Sequence, residues 1–311
     1  MNKSQNYLDP YWLLKATRDY EQEFLIVIAA TGLLQADIDT VKLCLSNKNT
    51  VAHSTKIITN KFVELSIKNT SQQAWTLFKE ILIQTEDEEF DVAVIPANSR
   101  IKKLLVCDMD STIVANETLD EFAAHAGIGE QVSQITARAM RGKLDFRQAL
   151  DERVSLLKGL SESIFEEILE KIELNPGAEI LLRQSKKNNI RTVLVSGGFE
   201  PIVKVIAEKL GFDRYVCNSM QLENNQLMGK VLEPIVDSSR KLNVLIEECQ
   251  SLMIKPEEAC CIGDGANDLL MLQAAGLGIS FQGKPLLRTS LAYQINSSDL
   301  DFVLLMMGIT E

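Results

Sequence analysis

Acidic side chains gather in two short segments. Asp108-Met109-Asp110-Ser111-Thr112 follows the apolar run Leu104–Cys107, and Gly263-Asp264-Gly265-Ala266-Asn267-Asp268 follows Ala259–Ile262. In extended chain, residues two apart point the same way, so Asp108 and Asp110 aim at one spot. Between the two segments comes Ser196-Gly197-Gly198, after the run Thr192–Val195 and before Pro201, which suits the first turn of a helix. Glycines let a backbone approach a ligand, and a helix start offers free N–H groups to an anion. Taken singly, each segment has a plainer reading as an acidic turn, a strand-to-helix turn or a helix cap. Together they lie at the C-terminal ends of expected parallel strands, the edge where ligands bind in open sheets. Carboxylates gathered there repel: two unit charges ~4 Å apart cost about 4 kcal/mol at an effective dielectric of 20. A site holding Asp108, Asp110 and Asp264 therefore needs a cation. With oxygen donors alone, magnesium is the natural choice.

The elements that must position these groups can be read from periodicity. Runs at Lys103–Cys107, Arg191–Val195, Arg214–Cys217, Ala259–Ile262 and Leu277–Phe281 read as strands, with helices expected over Pro201–Leu210, Ser238–Leu252 and Asp268–Ala275. Such alternation implies an α/β fold with a doubly wound parallel sheet. A hairpin is expected to turn at Asn224-Asn225. The charged, helical stretch at about 114–175 reads as a cap inserted after the first strand. Residues 1–99 read as a separate α+β unit. Strands are expected at Phe24–Ala30, Thr50–Ile58, Lys61–Ile67 and Phe90–Ile95, with helices over Ala36–Leu45 and after a cap at Ser71. That βαββαβ order is ferredoxin-like, and Pro96–Arg100 reads as a linker to the unit 100–311.

Composition narrows the function. The 311 residues are 46% apolar and 24% charged, within globular norms, and the length suggests two domains. A net charge of −11 makes nucleic acid and anionic membrane poor partners. No run approaches membrane-spanning length and the N-terminus reads as lacking a secretory signal. Six cysteines without a CxxC pair read as reduced core thiols, which fits a cytoplasmic setting. Only two histidines, His53 and His125, are present, neither in a metal spacing. Acid–base work therefore falls to carboxylates.

The three segments, in this order, resemble the haloacid dehalogenase superfamily of phosphohydrolases, and within it the branch acting on phosphoserine. The likeness runs from about Leu104 to about Leu305, with Lys241 at the family's third motif. It implies a magnesium-dependent phosphatase whose substrate is O-phospho-L-serine, at the last step of serine biosynthesis. Asp108 would be the nucleophile and Asp110 the acid and base. Asp108, Asp110 through its backbone carbonyl, and Asp264 would hold the metal, with Asp268 in support. Ser196, the N–H of Gly197, and Lys241 would bind phosphate, and Asn267 would line the site. In the cap, Glu117 would pair with the substrate ammonium and Arg153 with its carboxylate, while Met140 and Phe146 would shield the site. The first 99 residues resemble an amino-acid-binding regulatory domain of the ACT type by element order, with Thr31-Gly32-Leu33 at the ligand-loop position. A packing or homodimerisation role is the alternative. The competing readings are a related phosphatase acting on another small ester, such as phosphoethanolamine or phosphohomoserine, and a catalytically inactive metabolite sensor.

Overall fold

The computed structural model describes residues 7–14, 20–140 and 143–310, without the side chains of Tyr11, Leu14 and Met140. Seven strands form the larger sheet: β5 (Leu104–Cys107), β6 (Arg191–Phe199), β7 (Arg214–Glu223), β8 (Gln226–Leu232), β9 (Ala259–Gly263), β10 (Leu277–Phe281) and β11 (Gln294–Ile295). They run in the order β11-β10-β9-β5-β6-β7-β8. All neighbours are parallel except the β7–β8 hairpin. β5 is wholly buried, as its uninterrupted apolar sequence requires of a central parallel strand. The chain leaves β5 toward β6 on one side and reaches β9 on the other, so the switch in strand order lies at the end of β5. The hairpin turns at Asn224 and Asn225, both with positive φ, the backbone a tight two-residue connection demands.

The cap is spliced in just after β5. Val114 and Leu174 form an isolated antiparallel bridge at its neck. Asn175 Nδ2 ties the two neck strands by donating to Thr112 O at 2.8 Å and Val114 O at 3.2 Å. Four helices fill the insert: Thr118–His125, Gly129–Met140, Phe146–Ser155 and Ile164–Leu169. The third starts at a full capping box. Gln148 N donates to Asp145 Oδ1 at 2.8 Å, and Asp145 N to Gln148 Oε1 at 3.0 Å.

The N-terminal sheet comprises β1 (Gln22–Ala29), β2 (Ser54–Ile57), β3 (Phe62–Asn69) and β4 (Asp91–Pro96), in the order β2-β3-β1-β4 and antiparallel throughout. Helices Gln35–Asn47 and Ser71–Gln84 complete the βαββαβ order. The second is capped by Thr70 rather than Ser71: Thr70 Oγ1 accepts from Gln73 N and Gln73 Oε1 from Thr70 N. The expected linker is instead the end of β4 followed by a single turn, Ala97–Ser99. Nor are the cores separate. Phe24, Phe78 and Val94 of the N-terminal unit share one apolar cluster with Tyr293, Phe302 and Leu305. Polar contacts fasten the same face. Asp91, nearly fully buried, accepts from the backbone N–H groups of Asn296, Ser297 and Ser298 and from the Ser298 hydroxyl. Arg100 donates to Leu305 O and to Glu64.

Candidate active site

The C-terminal ends of β5, β6, β9 and β10 converge on one cavity of about 280 Å³, which the cap overhangs. Asp108 follows β5 in extended conformation, and the chain then turns sharply, with Ser111 at φ 53°. At its base lies a buried ion triad. Lys241, from helix Ser238–Ser251, is 0% exposed and donates to Asp108 Oδ1 at 2.6 Å and Asp268 Oδ1 at 2.7 Å. A lysine that deep is held charged by its two carboxylates, which outweigh the cost of burial and push its pKa up. Asp268 also accepts from Gly265 N at 3.0 Å. Its packing explains Gly263: a Cβ there would lie 2.5 Å from Asp268 Cγ.

Asp110 has different surroundings. Its Oδ1 accepts from Thr118 N at 2.8 Å, and its Oδ2 from Ser196 Oγ at 3.4 Å. Burial raises its pKa to about 6; the Thr118 N–H opposes this and the Glu117 charge adds to it. Ser196 Oγ accepts from Gly198 N at 2.8 Å. A Cβ on Gly198 would crowd that Oγ at 3.0 Å and Asp110 Oδ2 at 3.2 Å, so glycine permits the approach. The segment is fixed from behind by buried Asn218, which donates to Gly197 O at 2.7 Å and accepts from Val236 N at 2.7 Å. Gly197, Asn267, Phe146 and Arg153 all line the cavity. Arg153 is oriented by its own helix, Nε donating to Ala149 O at 3.1 Å. Met140 ends the helix Gly129–Met140, but its side chain lies outside the described residues.

Carboxylate oxygens of Asp108, Asp264 and Asp268 lie within 4.8 Å of one another. Burial and the neighbouring carboxylates Asp268 and Asp264 push the Asp108 pKa well up against the pull of Lys241. Lys241 serves two of these acids, Asp108 and Asp268, while Lys284 reaches Asp264 and is shared with Glu117. Four carboxylates on two lysines leave a negative balance that a divalent cation would neutralise. The donor set is all oxygen, so the residues fit a hard cation. Asp110 does not join this cluster through its carboxylate.

Thr118, Leu119, Leu150, Phe199, Ala266 and Lys284 also line the cavity without being among the residues expected, and Lys284 is the one that brings a charge. Lys284, just past β10, donates to Glu117 Oε1 at 2.7 Å and lies 3.0 Å from Asp264 Oδ2. Its own N–H donates to Asp264 O at 2.8 Å. Glu117 Oε1 also accepts from Ser111 Oγ at 3.0 Å. The one trace of Lys284 in the sequence is position, Lys284-Pro285 following a parallel strand at the same sheet edge, which does not set it apart from an ordinary surface lysine.

Residues 105–273 match the family model for haloacid dehalogenase-like hydrolase. The chain is 43% identical over 202 residues to the phosphoserine phosphatase of Streptococcus thermophilus, which covers 65% of this chain and 94% of that protein. The chain belongs to the haloacid dehalogenase-like hydrolases. This hydrolase is also 40% identical over 223 residues to the phosphoserine phosphatase of Streptomyces coelicolor, covering 71% of the chain and 54% of the relative. It thus spans only about half of that longer protein. A crystal structure of a HAD family hydrolase from Salmonella enterica serovar Typhi superposes with a TM-score of 0.82 at 26% identity, over 92% of this hydrolase and 98% of that chain. Its coverage reaches into the N-terminal unit as well as the catalytic sheet. No helix among the described residues is long and apolar enough to cross a membrane.

Proposed function

We propose that this hydrolase is a phosphoserine phosphatase that converts O-phospho-L-serine to L-serine and phosphate, with magnesium as its metal. The observation that carries the reading is the pairing, in one cavity, of two unlike aspartates with two unlike cap charges: Asp108 and Asp110 below, Glu117 and Arg153 above. Relatives named phosphoserine phosphatase support it.

In this reading Asp108 attacks phosphorus and the bond to the serine oxygen breaks. Asp110 gives that oxygen its proton, leaving an aspartyl-phosphate and free serine. Asp110 then takes a proton from the attacking water, the acyl phosphate opens, and the Asp108 carboxylate returns. A pKa of about 6 suits a group that must both give and take a proton near neutrality. Asp108, Asp264 and the backbone carbonyl of Asp110 would hold magnesium, with Asp268 supporting Lys241 rather than ligating. When bound, the metal would neutralise phosphoryl charge. Ser196, the Gly197 N–H and Lys241 would bind phosphate oxygens, beside Asn267. Arg153 offers the substrate carboxylate a planar fork of donors, Glu117 faces the ammonium, and Phe146 keeps water out. For residues 1–99 we propose a regulatory or dimer-forming domain, and for the whole a cytoplasmic setting, in keeping with its unpaired thiols.

Steady-state phosphate release from O-phospho-L-serine tests the reading, with magnesium and then with excess chelator. Metal-dependent turnover favouring phosphoserine over phosphoethanolamine and phosphohomoserine is expected. Equal or faster turnover of either competitor would reassign the substrate.

A further inference from the structure

We infer that Lys284 is a specificity-determining residue: an internal cation that partly neutralises Glu117 and so limits how strongly the site selects a substrate ammonium. The inference rests on the reading that Glu117 faces that ammonium. The Lys284 Nζ is 2.7 Å from Glu117 Oε1 and 3.0 Å from Asp264 Oδ2, so one tethered charge bridges the cap carboxylate and the core carboxylate. Its reach is set by the backbone. The loop after β10 is pinned by Lys284 N donating to Asp264 O, and by Gln282 N donating to Ile295 O at 2.7 Å. Arg288 Nε holds the preceding carbonyl, Gly283 O, at 2.7 Å.

The deep triad uses Lys241 to balance Asp108 and Asp268; Lys284 plays no part in that pairing. Its side chain is about half exposed, as is that of Glu117. An incoming ammonium must therefore share Glu117 with a cation already present. A substrate without an ammonium meets a carboxylate whose charge is already partly met, and its penalty is reduced. Lys284 thus moderates discrimination at a site that Glu117 alone would make more exacting.

The test compares kcat/KM for O-phospho-L-serine with that for 3-phosphooxypropanoate, the same ester without the ammonium. The proteins are the wild type, Lys284→Gln, Lys284→Arg, Glu117→Gln and the double variant Lys284→Gln/Glu117→Gln. Taking the ratio cancels any effect of Lys284 on the phosphate or the metal, which the two esters share. Lys284→Gln should widen the ratio roughly two- to fivefold, the scale of an ion pair with both partners half exposed. The change should appear mainly in KM. Lys284→Arg should keep the wild-type ratio, and in the Glu117→Gln background the Lys284→Gln change should have no effect. A ratio that stays the same or narrows in Lys284→Gln, with wild type preferring phosphoserine, overturns the inference and leaves the substrate reading intact. A wild type that does not prefer phosphoserine over the ammonium-free ester overturns both.

Discussion

At the scale of single residues, the two aspartates of one motif are made different by what surrounds them. Asp108 is locked to Lys241, whereas Asp110 accepts from Thr118 N and from the Ser196 hydroxyl. Asp110→Asn should therefore hurt only those phosphorylation steps whose leaving group needs a proton. Rapid-mixing measurements of p-nitrophenol release from p-nitrophenyl phosphate should show a much smaller loss than serine release from phosphoserine; equal losses would remove Asp110 from the acid role. Arg153→Ala should raise KM for phosphoserine about ten- to a hundredfold, the worth of a charge-assisted bond. Any activity on phosphoethanolamine, which lacks the carboxylate, should change little, and a matched loss on both esters would contradict carboxylate recognition. These residues were legible because their types, spacing and position after strands agreed. Lys284 is not legible in this way because a lone lysine carries no pattern of its own; only folding brings it beside Glu117 and Asp264.

At the scale of elements, the catalytic sheet follows closely from its sequence. β5, β9 and β10 are short apolar runs ended by Asp, Gly or Gln, and the asparagine pair between β7 and β8 could serve little but a turn. β6 runs farther than expected, to Phe199, across a register shift after Val195. Ser196-Gly197-Gly198 thus belongs to an irregular strand end, which periodicity alone does not distinguish from a turn. Just before β5, Lys102 is buried, and its ammonium donates to Ser99 O at 2.7 Å and Glu257 O at 2.8 Å. Burial lowers its pKa from 10.5 to about 8. Between those two values the unfolded chain binds more protons than the folded one, so this lysine's contribution to stability grows as pH rises. The full difference is roughly 3 kcal/mol. Urea unfolding from pH 7.5 to 10.5 should show this upward trend relative to Lys102→Met, in which it should vanish. Parallel pH profiles for the two proteins would contradict the burial account.

At the scale of the whole molecule, the two sheets share a core that the sequence divides at Pro96–Arg100. The reason is physical: Asp91 and Arg100 spend most of their hydrogen bonds on backbone groups some 200 positions away, and backbone partners leave no trace in composition. Asp91→Ala strands three backbone N–H groups and a hydroxyl. It should cost the full chain about 3 kcal/mol, since the two buried donors, the Ser298 N–H and hydroxyl, lose their partner at about 1–3 kcal/mol each, while the Asn296 and Ser297 N–H groups can turn to water. A change under about 0.5 kcal/mol in chemical denaturation would mean that this junction is wet and weak. The central claim is that phosphate passes through Asp108. The most direct measurement is acid-quench trapping on the millisecond scale with 32P-labelled O-phospho-L-serine and magnesium, followed by peptide mapping. We expect transient label on the peptide holding Asp108, stable to acid and released by hydroxylamine, and none in Asp108→Asn. Phosphate release by the wild type without such label, or label persisting in Asp108→Asn, would contradict the account.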